Sequence, residues 1–306
     1  QAAFYDWLFR HRGELAEGLG GVRLVLVCDV GGGTTDLSLI AVTEKAGALE
    51  LTRVAGGEHI LLGGDNMDLA LAHVIGAKLA AQGTQLDPWQ LRALTHGCRA
   101  AKETLLHDGE QGSVPVIVPS RGSRLIGGSI RTELTRDEVR ITLLEGFFPQ
   151  VATSARPANR PRTGLTQLGL PYAQDAAITR HMAAFLGRQT QATSELEGFS
   201  RALPRGATFL HPTAVLFNGG VFKSPLLVER VSANLNQWLQ SEGAPPARLL
   251  TGADLDLAVA RGAGVPLVHD LGSGAMVDTA TLGLPHEPTA AESVAAWGRS
   301  PWHCSQ

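Results

Sequence analysis

Cysteine is scarce in this chain: Cys28, Cys98 and Cys304 are the only three in 306 residues, far apart and without a C-x-x-C spacing. That excludes a disulfide scaffold and a zinc ribbon, and reads as reduced thiols in a cytosolic setting. No run of about eighteen apolar residues occurs, and the first residues lack the basic-then-apolar order of a signal peptide, so neither a transmembrane helix nor a secretory leader is expected. Charge of one sign is also missing. The net charge is −3 and the pI about 6.4, which speaks against a nucleic-acid or anionic-membrane partner. Internal repeats and low-complexity tracts are absent. With 44% hydrophobic and 18% charged residues the composition is that of an ordinary folded protein, long enough for two domains or one large one.

The informative stretch is VLVCDVGGGTTDLSLIAV, Val25 to Val42. An apolar run ends at Asp29, Gly31, Gly32 and Gly33 follow, then Thr34 and Thr35, and Asp36 opens a second apolar run. The pattern predicts strand, tight glycine turn, strand. Three successive residues without a Cβ let the backbone approach a ligand closely, and their N–H groups make an anion-binding nest. Carboxylates at both ends would repel a bare phosphate but suit one carrying Mg²⁺, which prefers oxygen ligands and keeps most of its waters. Two better-known glycine motifs are excluded. A P-loop needs a lysine, and none precedes Lys45; a dinucleotide fingerprint needs a third spaced glycine and a helix directly after it.

Around this cradle the chain reads as follows. Residues 1–18 carry Ala2, Ala3, Phe4, Trp7 and Leu8 on one helical side, and the helix ends at Gly18, Gly20 and Gly21. The chain begins with Gln1, inside that helical pattern, which suggests a fragment of something longer. Leu49 to Ala55 is a third strand. After Gly63 and Gly64, Asp65 or Asn66 caps a helix lined by Leu69, Leu71, Val74, Ile75 and Leu79. Asp87 as N-cap and Pro88 at the first position open a helix to His107 with Leu91, Leu94, Cys98, Ala101 and Leu105 inward. Val114–Val118 and Leu125–Thr132 form a hairpin, with Pro115 indicating an edge strand. Thr135-Arg136-Asp137-Glu138 is a capping box. Residues 153–171 concentrate proline, arginine and glycine without period, as a linker or an inserted loop, whose Arg156, Arg160 and Arg162 belong either to a solvated loop or to a docking patch. Asp175 to Leu186 is a helix with Ile178, Met182 and Phe185 inward, and His181 is a surface or core histidine and not a ligand. Thr213 to Phe217 is a buried strand ending in Asn218-Gly219-Gly220, after which Ser224 caps a helix that has Pro225 at its first position. Strand, double glycine and helix N-terminus make a second place where an anion or nucleoside meets bare backbone.

DVGGGTTD resembles the second phosphate motif of the actin-like ATPase superfamily, and its flanks are similar to the seventy-kilodalton heat-shock chaperones. LGGDNMD resembles the entrance to the small subdomain of that family's second lobe, FNGGVFKSP its adenosine motif, and DLDLAVARGAG the element after it. The resemblance covers about residues 1–264 as one ordered series. It implies an α/β fold, an actin-like, ribonuclease H-like lobe with a mixed sheet flanked by helices and an inserted smaller α+β subdomain. The implied division is an inter-lobe helix at 1–20, a core subdomain at 21–64 and 205–264, a small helical and hairpin subdomain at 65–150, an insertion at 151–204, and an unassigned tail at 265–306.

The resemblance further implies ATP or ADP with Mg²⁺ as cofactors, Asp29 and Asp36 as catalytic carboxylates that hold the metal through water, and Gly31, Gly32, Gly33, Thr34 and Thr35 around the phosphates. Lys102, Gly219, Gly220, Lys223 and Asp256 are the implied nucleoside-side residues. Two positions depart from the family. Glu103 stands where the chaperones carry an arginine and Leu106 where they carry a serine; a guanidinium lost from the base would forgo about 0.5 to 2 kcal/mol. Lys223 replaces an arginine, and Val221 and Ser224 also depart. The implied partners are an upstream lobe I of the same protein, a peptide-binding domain and co-chaperones, in a cytoplasmic stress-response chaperone that couples hydrolysis to peptide binding. Without lobe I the chain is expected to be inactive. A small-molecule kinase of the same superfamily and a non-catalytic nucleotide-binding scaffold are the alternatives.

Overall fold

A computed structural model of the chain describes residues 2–45, 48–107, 110–119, 129–158, 173–190, 206–253, 255 and 258. The central strand is β1 (Leu24–Val30), LVLVCDV, buried along its whole length except at Asp29. A strand covered on both faces reads as a continuous apolar run and not as an alternation. β2 (Thr35–Lys45) and β3 (Ala48–Gly56) continue as an antiparallel meander, with a register irregularity between Leu39 and Ile40. On the other side of β1, β6 (Ala214–Asn218) and then β7 (Arg248–Leu250) pair in parallel, so the mixed sheet has the order β3-β2-β1-β6-β7. No motif predicted β7.

The two sheet faces have separate cores. Val25 and Val27 of β1 face a cluster with Phe4 and Trp7 of α1 (Ala2–Arg10). The predicted single helix over 1–18 is two, α1 and the short α2 (Leu15–Gly18), with Gly13 in the break. Trp7 fixes α1 by donating its indole N–H to the Thr251 carbonyl at 2.6 Å. Leu24, Leu26, Cys28 and Val30 face the larger cluster, which runs without interruption into the helical and hairpin elements.

Those elements are α3 (Gly64–Ala81), α4 (Pro88–His107), the hairpin of β4 (Ser113–Val118) and β5 (Ile130–Thr135), and α5 (Arg136–Ile141), which continues as a turn of π-helix over Thr142–Phe147. As predicted, the Asp87 carboxylate caps α4, accepting the Trp89 and Gln90 amides at 2.8 Å. The α3 cap differs from expectation. The N-cap is Gly63, and Asn66 instead reaches back to accept the Gly63 amide at 2.8 Å. Leu69 does not line the packed side of α3; it is exposed, while Met67 and Asp68 are buried.

β5 ends at Thr135, beyond the predicted Thr132, because the strand runs directly into its own capping box: Thr135 Oγ1 accepts the Glu138 amide and Glu138 accepts the Thr135 amide. The predicted start of that strand, 125–128, lies outside the described residues, as do Arg160, Arg162, Asp256, Cys304 and the tail. α6 (Ile178–Arg188) buries Ile178, Met182 and Phe185 as expected, but begins after Asp175, which accepts the Ala158 and Ala177 amides. His181 bonds the Asp175 carbonyl at 2.9 Å. α7 (Pro225–Ser241) carries the chain from β6 to β7 as the crossover that a parallel pair requires. Among the described residues no helix is long and apolar enough to cross a membrane. Cys28 and Cys98 are free and buried; burial and the nearby Asp68 and Glu138 push the Cys98 thiol up to about 12.

Candidate functional site

The glycine turn between β1 and β2 is held from three sides. Inside it, the Gly31 amide donates to the Thr34 carbonyl at 2.9 Å, so Gly31 does not offer its N–H to a ligand. Above it, the first amides of α3, Gly64 and Asp65, donate to the Gly31 and Gly32 carbonyls at 3.0 and 2.7 Å. A Cβ at Gly63 would stand 2.5 Å from the Gly32 carbonyl oxygen, so only glycine allows α3 this close. Beside it lies Gly219, at φ 88°, where a Cβ would meet the Val30 carbonyl oxygen at 2.2 Å and Asp29 Oδ1 at 2.9 Å. Two glycine turns separated by about 190 residues of sequence thus meet at one point.

Asp29 is the Cα partner of Asp36 on one side and of Asn218 on the other. Residues opposite each other across a ladder share a face, so the two carboxylates stand side by side at the stems of the turn. Burial pushes the Asp29 carboxyl above its ordinary range, a hydrogen bond with the Asn218 side chain opposes this, and the Asp36 carboxylate adds to it. Asp36 bonds His59 Nδ1 at 2.6 Å. Neither Asn218 nor His59 was picked out from the sequence as a partner of these acids.

Thr35 does not face a ligand with its hydroxyl. It is fully buried and donates to the Leu62 carbonyl at 2.7 Å, tying β2 to the segment before α3.

A cleft of about 730 Å³ opens next to the turn. Gly31, Gly32 and Gly64 form one wall, the α4 residues Arg99, Lys102, Glu103, Leu106 and His107 a second, and Gly220, Val221, Lys223, Ser224 and Leu227 a third. The structure therefore brings Gly31, Gly32, Lys102, Gly220 and Lys223 of the predicted set to one cavity. Asp29, Gly33, Thr34, Asp36 and Gly219 flank the turn without lining the cleft.

Lys102 is buried and its Nζ lies 2.6 Å from Oδ1 of Asp68, an ion pair not aligned as a hydrogen bond. The Asp68 carboxylate, itself buried, also accepts Arg99 Nε at 2.9 Å, and the same guanidinium pairs with Asp65. Asp65, Asp68 and Arg99 were not read as site residues. Their signal was weak: Asp68 looks like a polar residue on a surface helix, and only the tertiary contact between α3 and α4 turns it inward. The missing arginine at Glu103 has a counterpart, since Arg99 presents a half-exposed guanidinium on the same wall one turn earlier.

A mixed five-stranded sheet with helices on both faces, and paired aspartates on a glycine turn at its middle strand, is the architecture of one lobe of an actin-like ATPase. The Hsp70 protein family model matches residues 15–156 of the chain. A chaperone protein HscA homolog of Pseudomonas fluorescens is 37% identical over 139 residues, 45% of this chain and 19% of that protein. Its counterpart in Azotobacter vinelandii is 33% identical over 159 residues, 52% of this chain and 22% of its own length. In Methylibium petroleiphilum 88 residues are 43% identical, 28% of this chain and 13% of that relative. The matched stretch spans about a fifth of the length of the first two of these curated relatives.

Proposed function

We propose that this chain is the second lobe of the nucleotide-binding domain of an Hsp70-type chaperone, and that its cleft takes Mg-ATP or Mg-ADP. One observation carries the reading: the turn with Asp29 and Asp36 and the turn with Gly219 and Gly220 meet beside a single cleft walled by α4. The donor set suits the metal. Two adjacent carboxylates at the stems of the glycine turn fit a cation that keeps most of its waters.

In this reading Asp29 and Asp36 hold the water shell of Mg²⁺, and the amides of Gly32, Gly33 and Thr34, which make no hydrogen bond among the described residues, meet the terminal phosphates. Gly220 and Lys223 lie on the nucleoside side. Lys102 acts through Asp68, setting the position of Arg99 on the cleft wall. When bound, Mg²⁺ neutralises phosphate charge. Phosphoryl transfer depends mainly on positioning and charge neutralisation, so turnover needs the opposing lobe I. Lobe closure would then be passed to a peptide-binding domain, with co-chaperones acting on the cycle.

Titration calorimetry of the 306-residue chain with ADP, with and without Mg²⁺, tests this. Binding is expected to depend on Mg²⁺ and to weaken at least about tenfold in Asp36→Asn, since a charged contact is worth about 1.5–3 kcal/mol. Absence of any ADP binding at millimolar concentration would overturn the reading.

A further inference from the structure

We infer that Asn218 is a positioning residue for Asp29: its side-chain amide holds one carboxylate oxygen and so fixes the direction of the other, which serves the water shell of Mg²⁺. The inference rests on the Mg-nucleotide reading above. Successive side chains alternate between the faces of a strand. Val25 and Val27 of β1, Ile40 and Val42 of β2, and Ala214 and Leu216 of β6 all belong to the cluster on the α1 face. At the turn end of that same face the register sets Asp36, Asp29 and Asn218 side by side, one from each strand. The row reads acid, acid, amide.

β6 is buried at every position and apolar until Asn218, which is itself 2% exposed. A buried amide costs stability unless it is hydrogen-bonded, and this one is only half satisfied, since its Oδ1 has no partner among the described residues. The other half is engaged: the side chain bonds the Asp29 carboxylate. An ionised carboxylate only accepts, so the amide nitrogen is the atom that faces it. On a second side the carboxylate rests against bare backbone, because a Cβ at Gly219 would stand 2.9 Å from Asp29 Oδ1. On the third side stands Asp36, of the same charge. The last torsion of an aspartate is soft, with broad minima, so packing and repulsion alone leave the plane of the carboxylate free to turn. A donor on one oxygen removes that freedom. Carboxylates that ligate a metal are themselves hydrogen-bonded, and losing such a partner weakens metal binding about 10- to 100-fold. Asn218 Oδ1 is closed to solvent, so the residue touches no ligand and acts through Asp29.

The test titrates ADP, with Mg²⁺ and with the metal removed by EDTA, into the parent chain, Asn218→Val, Asp29→Asn and the double variant, and records ligand-free melts of all four. Mg-ADP affinity is expected to fall about threefold to tenfold in Asn218→Val, less than beside a direct ligand because a water intervenes. Metal-free ADP affinity should stay that of the parent. In the Asp29→Asn background the same substitution should change nothing further, since both residues act through one carboxylate. Asn218→Thr has the shape of the valine variant but keeps a hydroxyl donor, and should retain more of the Mg²⁺ dependence; if Asn218→Val does not fold, the threonine variant carries the same comparison. Equal falls with and without metal, together with a lowered melting temperature, would make Asn218 a structural residue and overturn the inference. Unchanged Mg-ADP binding, or additive losses in the double variant, would overturn it too. If the parent binds no ADP, or binds it equally without Mg²⁺, the nucleotide reading fails and this inference with it, an outcome distinct from a Mg²⁺-dependent parent whose Asn218 variants bind as it does.

Discussion

Asp29 lies within an apolar strand, between Asp36 on one neighbour and Asn218 on the other. Its carboxyl is raised above the ordinary value of 3.8, chiefly by burial. A raised carboxylate favours the fold in its protonated form, so its contribution is present below about pH 4 and is lost as pH rises through the folded value. Asp29→Asn is therefore expected to melt at a higher temperature than the parent at pH 7, the difference closing toward pH 4, while Mg-nucleotide binding weakens. Asp175 has the opposite sign. Burial pushes it up, but the Ala158 and Ala177 amides and the Arg180 guanidinium outweigh this, and the carboxyl lies below its ordinary value. Its contribution is present above about pH 4 and is lost as pH falls through the lowered value. Asp175→Asn should melt lower than the parent at pH 7 and converge with it in acid. Circular dichroism melts of both variants across pH check the two signs together; parallel shifts at every pH would contradict both.

At the scale of elements, α3 and α4 are joined by a buried charge pair. Removing one partner of such a pair leaves the other uncompensated and costs about 3–5 kcal/mol, whereas replacing both by apolar residues is often close to neutral. Asp68→Asn is expected to lower stability by that amount in denaturant unfolding, and Asp68→Leu combined with Lys102→Met to recover most of it. An additive double variant would show that the two side chains do not act as a pair. This contact also marks where the sequence stopped being legible. Local signals worked where the physics is local: the apolar run of β1, the Asp87-Pro88 start of α4, the Thr135–Glu138 capping box and the β6 strand before its double glycine. The motif points to Lys102 but not to its partner, because Asp68 is turned inward only by packing against α4. Helical spacing puts Leu69 on the core side, yet the same packing leaves it exposed. β7 spans three residues and is a strand only because β6 offers an edge beside it. Ser224 occupies a capping position by every local rule, yet its oxygen makes no cap bond.

Across the whole molecule, one apolar cluster joins the sheet to the small unit. Leu26 of β1, Leu71 of α3, Leu94 of α4, Leu134 of β5 and Leu235 of α7 all belong to it. The cluster on the opposite face, with Phe4, Trp7, Val25 and Val27, is smaller and carries α1. If stability is shared through a continuous core, the hairpin cannot melt without exposing side chains that also cover the sheet. Leu134 is fully buried although it sits on the two-stranded hairpin, and truncating it to alanine should cost about 2–5 kcal/mol. That loss is a large part of an ordinary domain's stability of about 5–15 kcal/mol. Guanidinium unfolding of Leu134→Ala is therefore expected to move to lower denaturant as one transition. Far-UV circular dichroism, dominated by the large sheet and helices, and the fluorescence of the five tryptophans, of which Trp7, Trp89 and Trp238 sit on α1, α4 and α7, should report the same midpoint. Two separated transitions, with the sheet signal unmoved by a change in the hairpin, would mean that the small unit and the sheet unfold independently despite their common core.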